Sequence, residues 1–492
     1  MRHLRRHLAT RSRHRCRHRR RLHFFREPGI PRPAAPAGNK FAAKPDLPVY
    51  IAGARPFYWN ATAGANSRTR GVGADSQQWS DILRRLGLFC ILLLVCATAP
   101  AQDALRSSLA GEQAAAVRKR NRTDTYYNLD LDPVKLRFNS SLAAEYNDNV
   151  NLNDRRPAED FILRPQLGLR AFWQVSQRNS LDVALNLGYE YYFNEARPSR
   201  VIVSGDENSG LFFDLFIGDF AINLHESFSL SQDTSQDPSV SGIADIFRLE
   251  NTAGTTVTWD LYKLLLQFNY DHYNYIPLDN FYQYLEHASE LGSIRVSALV
   301  HPTLTLGLEL GGGLTTYDDP RLSDHQHVSV GPFAKYKLSD AIDVRASTGF
   351  TYYWFEASSF ITNSTSQSGL YADVTIDHVA TQRTRQTLNF GQSLSTDINS
   401  SPIELFYIRY YATLNIIQHW SFQPRLMFES GNETRGLIQD NFTRYGVGLS
   451  VGRRVTQKLT SSLTYDRLVK NSDRTNFDYT QNRLVLNLLY QF

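Results

Sequence analysis

Residues Leu181–Asn194 read LDVALNLGYEYYFN, and this stretch decides the fold. Its odd-numbered positions, from Leu181 to Phe193, are all apolar or aromatic, whereas Asp182, Asn186 and Glu190 lie between them. Successive side chains of a β-strand point to opposite faces, so this alternation predicts a strand with one apolar and one polar face. The stretch is about twice as long as an average strand of about 5–6 residues, and its length suits a strand that crosses a bilayer.

The same pattern recurs throughout residues 134–492. We count about 18 such segments, from 134–146 to 481–492, with aromatic residues near their ends as in Tyr352–Phe355 (YYWF). Short links alternate with longer polar loops such as 195–208 and 232–242. Long two-faced strands, aromatic girdles and this alternation of connections are typical of membrane barrels. The predicted fold class is all-β: a transmembrane, antiparallel, up-and-down β-barrel of about 18 strands, within a range of about 16–18.

An apolar run precedes the barrel at Leu86–Thr98, LGLFCILLLVCAT. Arg84-Arg85 precede it and Ala99-Pro100-Ala101 follow it, which is the arrangement of a secretory signal peptide over residues 83–101. A lipoprotein signal ending at Cys96 is the alternative, but Val95 stands where a small residue is expected.

The segments on either side of the signal peptide show no apolar periodicity. Residues 1–82 include an Arg/His run from Arg2 to Arg26 that could be a nucleic-acid patch. A signal peptide belongs at a true N-terminus, so an over-extended start or a disordered leader is the interpretation we favour. Residues 102–133 are polar and mixed and predict a periplasmic N-terminal tail, which leaves 134–492 for the barrel.

Removal of residues 1–101 changes the charge of the protein. The chain has 53 Lys and Arg against 48 Asp and Glu; 19 basic and 4 acidic residues precede residue 102, which leaves 34 and 44 and a net charge of −10. All three cysteines, Cys16, Cys90 and Cys96, also lie in the removed part. We therefore expect no disulfide, thiol nucleophile or cysteine-bound metal in the barrel.

The last predicted strand alternates to a terminal aromatic residue. Its apolar positions are Leu484, Leu486, Leu488, Tyr490 and Phe492. This pattern resembles the C-terminal signal that the outer-membrane assembly machinery recognises. It predicts a barrel in the outer membrane of a Gram-negative bacterium, with membrane lipid and that machinery as partners.

One stretch near the start of the barrel carries a family resemblance. Glu145–Val150 (EYNDNV), followed by Asp160–Ile162 (DFI) and Pro165–Leu169 (PQLGL), resembles the opening of the β-barrel porin type 2 family. The resemblance continues in layout over 134–492 and implies an outer-membrane channel, often associated with surface-polysaccharide export. Asn147–Asn149 could coordinate a cation, but Asn and Asp more often bond their own backbone in turns, which we favour.

No motif for catalysis or cofactor binding stands out. The Gly-x-Gly-His-x-Ser-like motif of a barrel phospholipase is absent around His225. Three adjacent pairs lie in or beside predicted strands: Asp271-His272, Asp324-His325 and Asp377-His378. The two members of a pair cannot form a dyad with each other, because neighbours on a strand face opposite ways. Pairing with residues on other strands is not visible from the sequence. His325 and His327 share a face, but without a third ligand they favour a polar rim over a metal site. We expect no enzyme, cofactor, metal or nucleic-acid partner.

Strand parity selects the charged residues that are expected to line the lumen. The basic candidates are Lys135, Arg137, Arg164, Arg170, Arg345 and Arg409, and the acidic candidates are Asp182, Glu190, Glu309 and Asp343. Charges of both signs across a pore orient water and favour hydrated solutes. They could also pair simply because a polar lumen must be satisfied, which we favour for any single residue.

Barrel size then predicts function, since barrels of about 16–18 strands leave an aqueous channel. We expect a channel for hydrophilic solutes; the resemblance implies a pore for surface polysaccharide, with an oligosaccharide as a partner. A closed structural or adhesive barrel that binds a partner through its loops is the alternative. Predicted loops of about 8–15 residues disfavour it, although loops folded into the lumen could narrow the pore.

Overall fold

The computed structural model describes residues 127–204, 209–233, 237–242, 245–434 and 439–492. The predicted leader (1–82), the predicted signal peptide (83–101) and residues 102–126 of the predicted tail lie outside the described residues. No helix in the described ranges is long and apolar enough to span a membrane.

The described residues form β-strands and a short 3-10 helix, Asn280–Leu285. The strands in the first half are β1 (Leu129–Leu131), β2 (Val134–Asn147), β3 (Asp160–Gln174), β4 (Ser180–Tyr192), β5 (Arg200–Val203), β6 (Gly210–Ile217), β7 (Phe220–Ser231), β8 (Arg248–Leu261), β9 (Leu264–Pro277) and β10 (His287–His301). Those in the second half are β11 (Leu304–Tyr317), β12 (His325–Ser339), β13 (Ile342–Phe355), β14 (Thr365–Thr381), β15 (Thr384–Thr396), β16 (Pro402–Leu414), β17 (Trp420–Glu433), β18 (Asn441–Arg454), β19 (Leu459–Ser472) and β20 (Tyr479–Gln491).

These strands close into a ring. Apart from β5 and β6, strands that are consecutive in the chain pair antiparallel, and β2 pairs with β3 on one side and with β20 on the other. β5 and β6 share one position between β4 and β7, and β1 is a short addition to β2, so the ring has 18 positions. The predicted all-β, antiparallel barrel of 18 strands is confirmed.

Two short strands, β5 and β1, lie in segments that were predicted to contain no strand. The predicted loop 195–208 contains β5, in which Arg200–Val203 pairs with Leu187–Glu190. Val203 lies opposite Leu187 whereas Gly210 lies opposite Ala184, so an insertion interrupts this strand and breaks its alternation. The tight link predicted at Asp260 is also shifted: the turn is at Tyr262-Lys263, because Asp260 accepts the backbone N–H of Tyr262 (2.8 Å) at its start.

The second of these strands, β1, lies in the predicted tail 102–133. It pairs with the first residues of β2, which β20 does not reach, because β20 pairs only with Asn139–Asn147. Asn128, just before β1, accepts the backbone N–H of Phe138 (2.7 Å), and its side-chain amide donates to the carbonyl of Phe492. Three residues are too few to show a period, so the sequence gives no sign of β1.

The outer face of the ring is apolar and the inner face is polar. On β11, Leu308 is 61% exposed on the outside while its neighbour Glu309 is 6% exposed on the inside. Tyr352 and Trp354 also face outward near the end of β13. Turns of a few residues lie at one end and loops such as 148–159 and 232–247 at the other. An apolar band with aromatic residues at its rim is the surface that a membrane barrel presents to lipid.

Candidate functional site: the lumen and its outer lid

Several predicted lumen residues lie in buried ion pairs on the inner wall. Arg164 of β3 bonds Glu145 of β2 on one side and Glu190 of β4 on the other. Arg483 of β20 also approaches Glu145, with 3.3 Å between Nε and Oε1. Glu145 is almost fully buried, and a buried carboxylate without a cation would cost several kcal/mol. These pairs satisfy one another across the join between the first and last strands.

A second buried cluster lies on β16–β18. Glu429 of β17 accepts hydrogen bonds from Nη2 of Arg409 (2.7 Å) and is 2.6 Å from Nη2 of Arg444. Parity predicted Arg409 but missed the other two residues, although both carry the same signal: a charged residue on the polar face of an alternating strand. Partners on separate strands depend on register, which the sequence does not display.

A third cluster involves the predicted residue Glu309 of β11. Arg295 of β10 donates to one oxygen of Glu309 (3.0 Å), and the hydroxyl of Tyr371, on β14, donates to the other (2.8 Å). The tyrosine ring crosses the two intervening strands at Gly331 and Gly349, where an added Cβ would come within 2.6 and 2.4 Å of it. Glycines on the inner face thus allow contacts between distant strands.

The remaining predicted lumen residues lie toward the end with the short turns. Arg170 pairs with Asp182 (2.6 Å), Arg345 pairs with Asp377, and Lys135 lies 3.8 Å from Asp130. Arg137 and Asp343 lie on the same inner face by strand parity. The side chains of Arg345 and Asp377 are 48% and 32% exposed, so water reaches these charges. The inner wall is therefore solvated at this end.

An inner-face histidine pairs with a carboxylate two strands away. His225 Nε2 lies 2.7 Å from Asp271 Oδ1, and the contact passes over Gly254 of β8. The other ring nitrogen of His225 lies 3.1 Å from Asn223 Oδ1, whose amide donates to Asp214. Oxygen atoms therefore face both ring nitrogens, and these contacts join β7 to β9 on the inner wall.

Two further histidines from the sequence motifs, His272 and His327, contact other side chains in the structure. Asp271 faces inward whereas His272 faces outward to Glu290 (2.8 Å), as expected for neighbours on a strand. His327 stacks on Tyr353, with 4.8 Å between ring centres. Among the described residues, no group of three or more His, Cys, Asp or Glu is placed to hold a metal ion.

The Asn147–Asn149 motif forms a turn. The backbone N–H of Asn149 donates to Asn147 Oδ1 (3.0 Å), and the Asn149 amide donates to the carbonyls of Asn153 and Thr480 (2.9 Å each). Asp148 accepts from Asn482 of β20. These oxygens and amides serve the loop itself and its junction with β20.

Residues 237–242 of the connection between β7 and β8 lie across the lumen at the end with the long loops. The carbonyl of Asp237 accepts from Arg444 of β18 (3.4 Å), and that of Ser239 accepts from Lys470 of β19 (3.0 Å). The hydroxyl of Ser241 donates to the carbonyl of Phe477 (2.8 Å). β18 and β19 lie seven and six positions from β7 around the ring, so this loop is folded into the barrel.

Apolar side chains from five connections meet there and form what we call the apolar lid. Its members are Leu152 (β2–β3), Val240 and Ile246 (β7–β8), Leu285 (3-10 helix), Leu322 (β11–β12) and Ile398 (β15–β16). Ile246, Leu285 and Leu322 form one cluster, Leu152 and Val240 form another, and Ile398 packs against both. Burial of one such aliphatic side chain stabilises the closed lid by about 1.5–3 kcal/mol relative to leaving it exposed. Loops have no periodic pattern, so the loops could be predicted from the sequence but their packing into a lid could not.

A carboxyl group lies beside the lid in the turn between β15 and β16. Asp397 accepts the backbone N–H groups of Ser401 (2.6 Å) and Asn399 (2.9 Å). Burial raises the pKa of Asp397 to about 7, the nearby carboxylate of Asp237 adds to this, and the hydrogen bond from Ser401 opposes it. The turn that carries Ile398 is thus sensitive to protonation.

No family model and no curated protein matches the chain, so the resemblance to the porin type 2 family stays a prediction. Solved structures with a similar arrangement include the outer membrane protein OpdK of Pseudomonas aeruginosa (12% identity, covering 73% of this chain and 99% of that one, TM-score 0.43). Two others are OccK2 (OpdF) of P. aeruginosa in complex with glucuronate (11%, 74% and 99%, TM-score 0.45) and OccAB3 of Acinetobacter baumannii (11%, 73% and 99%, TM-score 0.41).

The closed ring of strand pairings establishes the fold independently of these likenesses. Because the ring is closed, most backbone groups of its strands are hydrogen-bonded to a neighbouring strand, as a bilayer requires. The apolar outer band matches the hydrocarbon of a bilayer. The chain is an outer-membrane β-barrel protein of the Gram-negative type.

Proposed function

We propose that the protein is an outer-membrane channel for hydrophilic solutes and that the structure is its closed state. The observation that carries this proposal is the inner wall: charges of both signs line an 18-position ring, a size at which barrels leave an aqueous lumen. The apolar lid covers that lumen at one end. A polar lumen under a lid that can move aside is the arrangement expected of a gated channel.

The resemblance to the porin type 2 family supports a narrower proposal, that the solute is a surface polysaccharide or an oligosaccharide fragment of one. Paired charges on the wall suit hydrated, polar molecules of this kind. The five outward residues of the last strand, Leu484, Leu486, Leu488, Tyr490 and Phe492, support a further proposal, that this strand is read by the assembly machinery.

Single-channel conductance in a planar bilayer tests the channel. The full chain is expressed, purified from outer membranes and inserted, and a neutral oligosaccharide is then added. We expect discrete openings, because a lumen with a charged wall conducts ions once the lid moves. Block by the oligosaccharide, and not by its monosaccharide at equal mass concentration, supports the polysaccharide pathway.

Folded protein that never opens at any voltage, pH or salt concentration contradicts the channel. The alternative, a closed barrel that binds a partner through its loops, then takes its place. Heat-dependent migration in SDS gels shows which preparations contain folded barrel, so a silent but folded sample is informative.

A further inference from the structure

The wall of the barrel is split between β14 and β15. The two strands pair from Thr381 and Thr384 up to Ala372 and Gln392, and the ladder ends there. Beyond that point β14 continues to Thr365 paired with β13 alone, and β15 continues to Thr396 paired with β16 alone. Strand edges without partners are unfavourable, because their N–H and C=O groups lose hydrogen bonds.

Leu394 shows where the upper part of β15 lies, which is the part beyond Gln392 that pairs only with β16. The residue opposite it on β16 is Glu404, which shares a face with Phe406 and Ile408, and both of these are exposed on the lipid side. Leu394 therefore belongs to the lipid-facing side of its strand. It is nevertheless 0% exposed and packs against Tyr353 and Phe355.

Tyr353 and Phe355 are buried on the inner face of β13, since Trp354 between them is exposed outside. The outer face of β15 beyond Gln392 thus packs against the inner face of β13, two positions away around the ring. The tip of the β15–β16 hairpin therefore lies on the lumen side of the wall, and β14 covers it from outside.

Side chains secure the hairpin in this position. Gln367, on the inner face of β14, bridges Glu404 of β16 (3.4 Å) and Thr434 just after β17 (2.7 Å). At the tip, the hydroxyl of Ser400 donates to the carbonyl of Ser323 in the β11–β12 connection. The same tip carries Ile398, which joins the two clusters of the apolar lid.

We propose that the β15–β16 hairpin above Gln392 is the gate of the channel. In the open state it swings into the wall and continues the existing register, so that Tyr371, Leu370, Gly369 and Ser368 pair with Ser393, Leu394, Ser395 and Thr396. Leu394 then faces lipid, the free edges gain backbone hydrogen bonds, and Ile398 leaves the lid. Opening loses apolar burial in the lid and gains strand pairing in the wall. The two contributions oppose each other, so a modest input of free energy shifts the populations of the two states. This inference rests on the proposed channel function.

Disulfide locks test the gate, since the chain has no cysteine after Cys96. The closed lock combines Ser323→Cys with Ser400→Cys, which are in contact in the structure. The open lock combines Gly369→Cys with Ser395→Cys, which become opposite neighbours only if the ladder is extended. The control combines Thr375→Cys with Asn389→Cys, which are opposite each other below the split in both states.

Each full-length variant is oxidised in outer membranes, scored for the disulfide by gel shift, and recorded in bilayers before and after a reductant. We expect the oxidised closed lock to lower the open probability at least about tenfold, reversibly, and the oxidised open lock to stay open. The oxidised control should conduct like the parent.

Three results overturn the gate. If the control pair oxidises but the open-lock pair stays reduced, the hairpin does not reach β14. If the oxidised closed lock conducts as before, the lid opens by another route, and the channel function survives without this gate. If every pair oxidises and even the open lock never conducts, the hairpin movement opens no pore, and the channel function fails with it.

Discussion

Gly254 and Gly292 are both strand glycines, but their surroundings differ. An added Cβ at Gly254 would meet Asp271 Oδ1 at 2.0 Å and His225 Nε2 at 2.8 Å, the two atoms of the pair that crosses over it. At Gly292 the nearest atom is 3.9 Å away, an ordinary contact. One glycine makes room for an interaction and the other leaves open space.

We therefore expect Gly254→Ala to lower the free energy of unfolding by about 1–3 kcal/mol, because the methyl group separates His225 from Asp271 and crowds the wall. Gly292→Ala is the matched control and should be neutral or slightly stabilising, since glycine is the weaker strand former. Urea titration of each variant refolded in vesicles measures the difference. Equal losses for the two would show that the space over Gly254 is unimportant.

Single residues were predictable only as far as parity goes. The alternation places Arg164, Glu190 and Arg409 on the polar face, and each lies in an ion pair in the structure. Their partners Glu145 and Glu429 were not identified, because an ion pair across strands depends on register and on which strand is the neighbour.

At the scale of the element, most strands could be predicted within a few residues. β15 was expected at 384–396 and is found there, because a membrane strand is long enough to show many periods. β1 and β5 are too short for that, and an insertion after Val203 hides the pairing of β5 with the wall.

β20 offers a direct test of which face meets lipid. Leu486 is 44% exposed on the outer face near the middle of the strand, and its neighbour Asn487 faces the lumen. Leu486→Arg should lower the free energy of unfolding in vesicles by about 2–4 kcal/mol, the penalty of a charge near the bilayer midplane. Asn487→Arg should cost far less because water reaches the lumen. A larger loss for Asn487→Arg would mean that the two faces are assigned the wrong way round.

At the scale of the whole molecule, the lid brings together connections from around the ring, and no part of it is visible in a local pattern. Asp397 couples this assembly to pH. Its carboxyl has a pKa of about 7 in the closed lid, against about 3.9 for a solvated aspartate. Asp237 from the β7–β8 loop and Glu433 from β17 face it, so ionisation places like charges together.

The closed lid thus binds a proton between about pH 4 and pH 7 that an open lid releases. Raising the pH through this window lowers the free energy of opening, and lowering it stabilises the closed lid. The open probability should therefore rise from pH 5 to pH 7, by up to about tenfold per unit.

Asp397→Asn should flatten that profile, because the amide does not titrate. Asp340→Asn, in an exposed turn between β12 and β13, should leave the profile unchanged. Single-channel recording at each pH measures the open probability. A parent profile that is already flat, or that Asp397→Asn does not alter, would separate Asp397 from the lid.

The join between β2 and β20 also bears on how the protein comes to be folded. Asn139–Asn147 pair with Arg483–Gln491, and Asn128 reaches Phe492, 364 positions along the chain. A contact this distant in sequence cannot form before nearly all of the chain has been delivered, and its loop-closure entropy makes it slow. Until then the first and last strands are both open edges that invite pairing with other chains. The first and last strands are therefore the edges that stay unpaired for the longest part of assembly, and pairing of either with another chain would compete with closure of the ring.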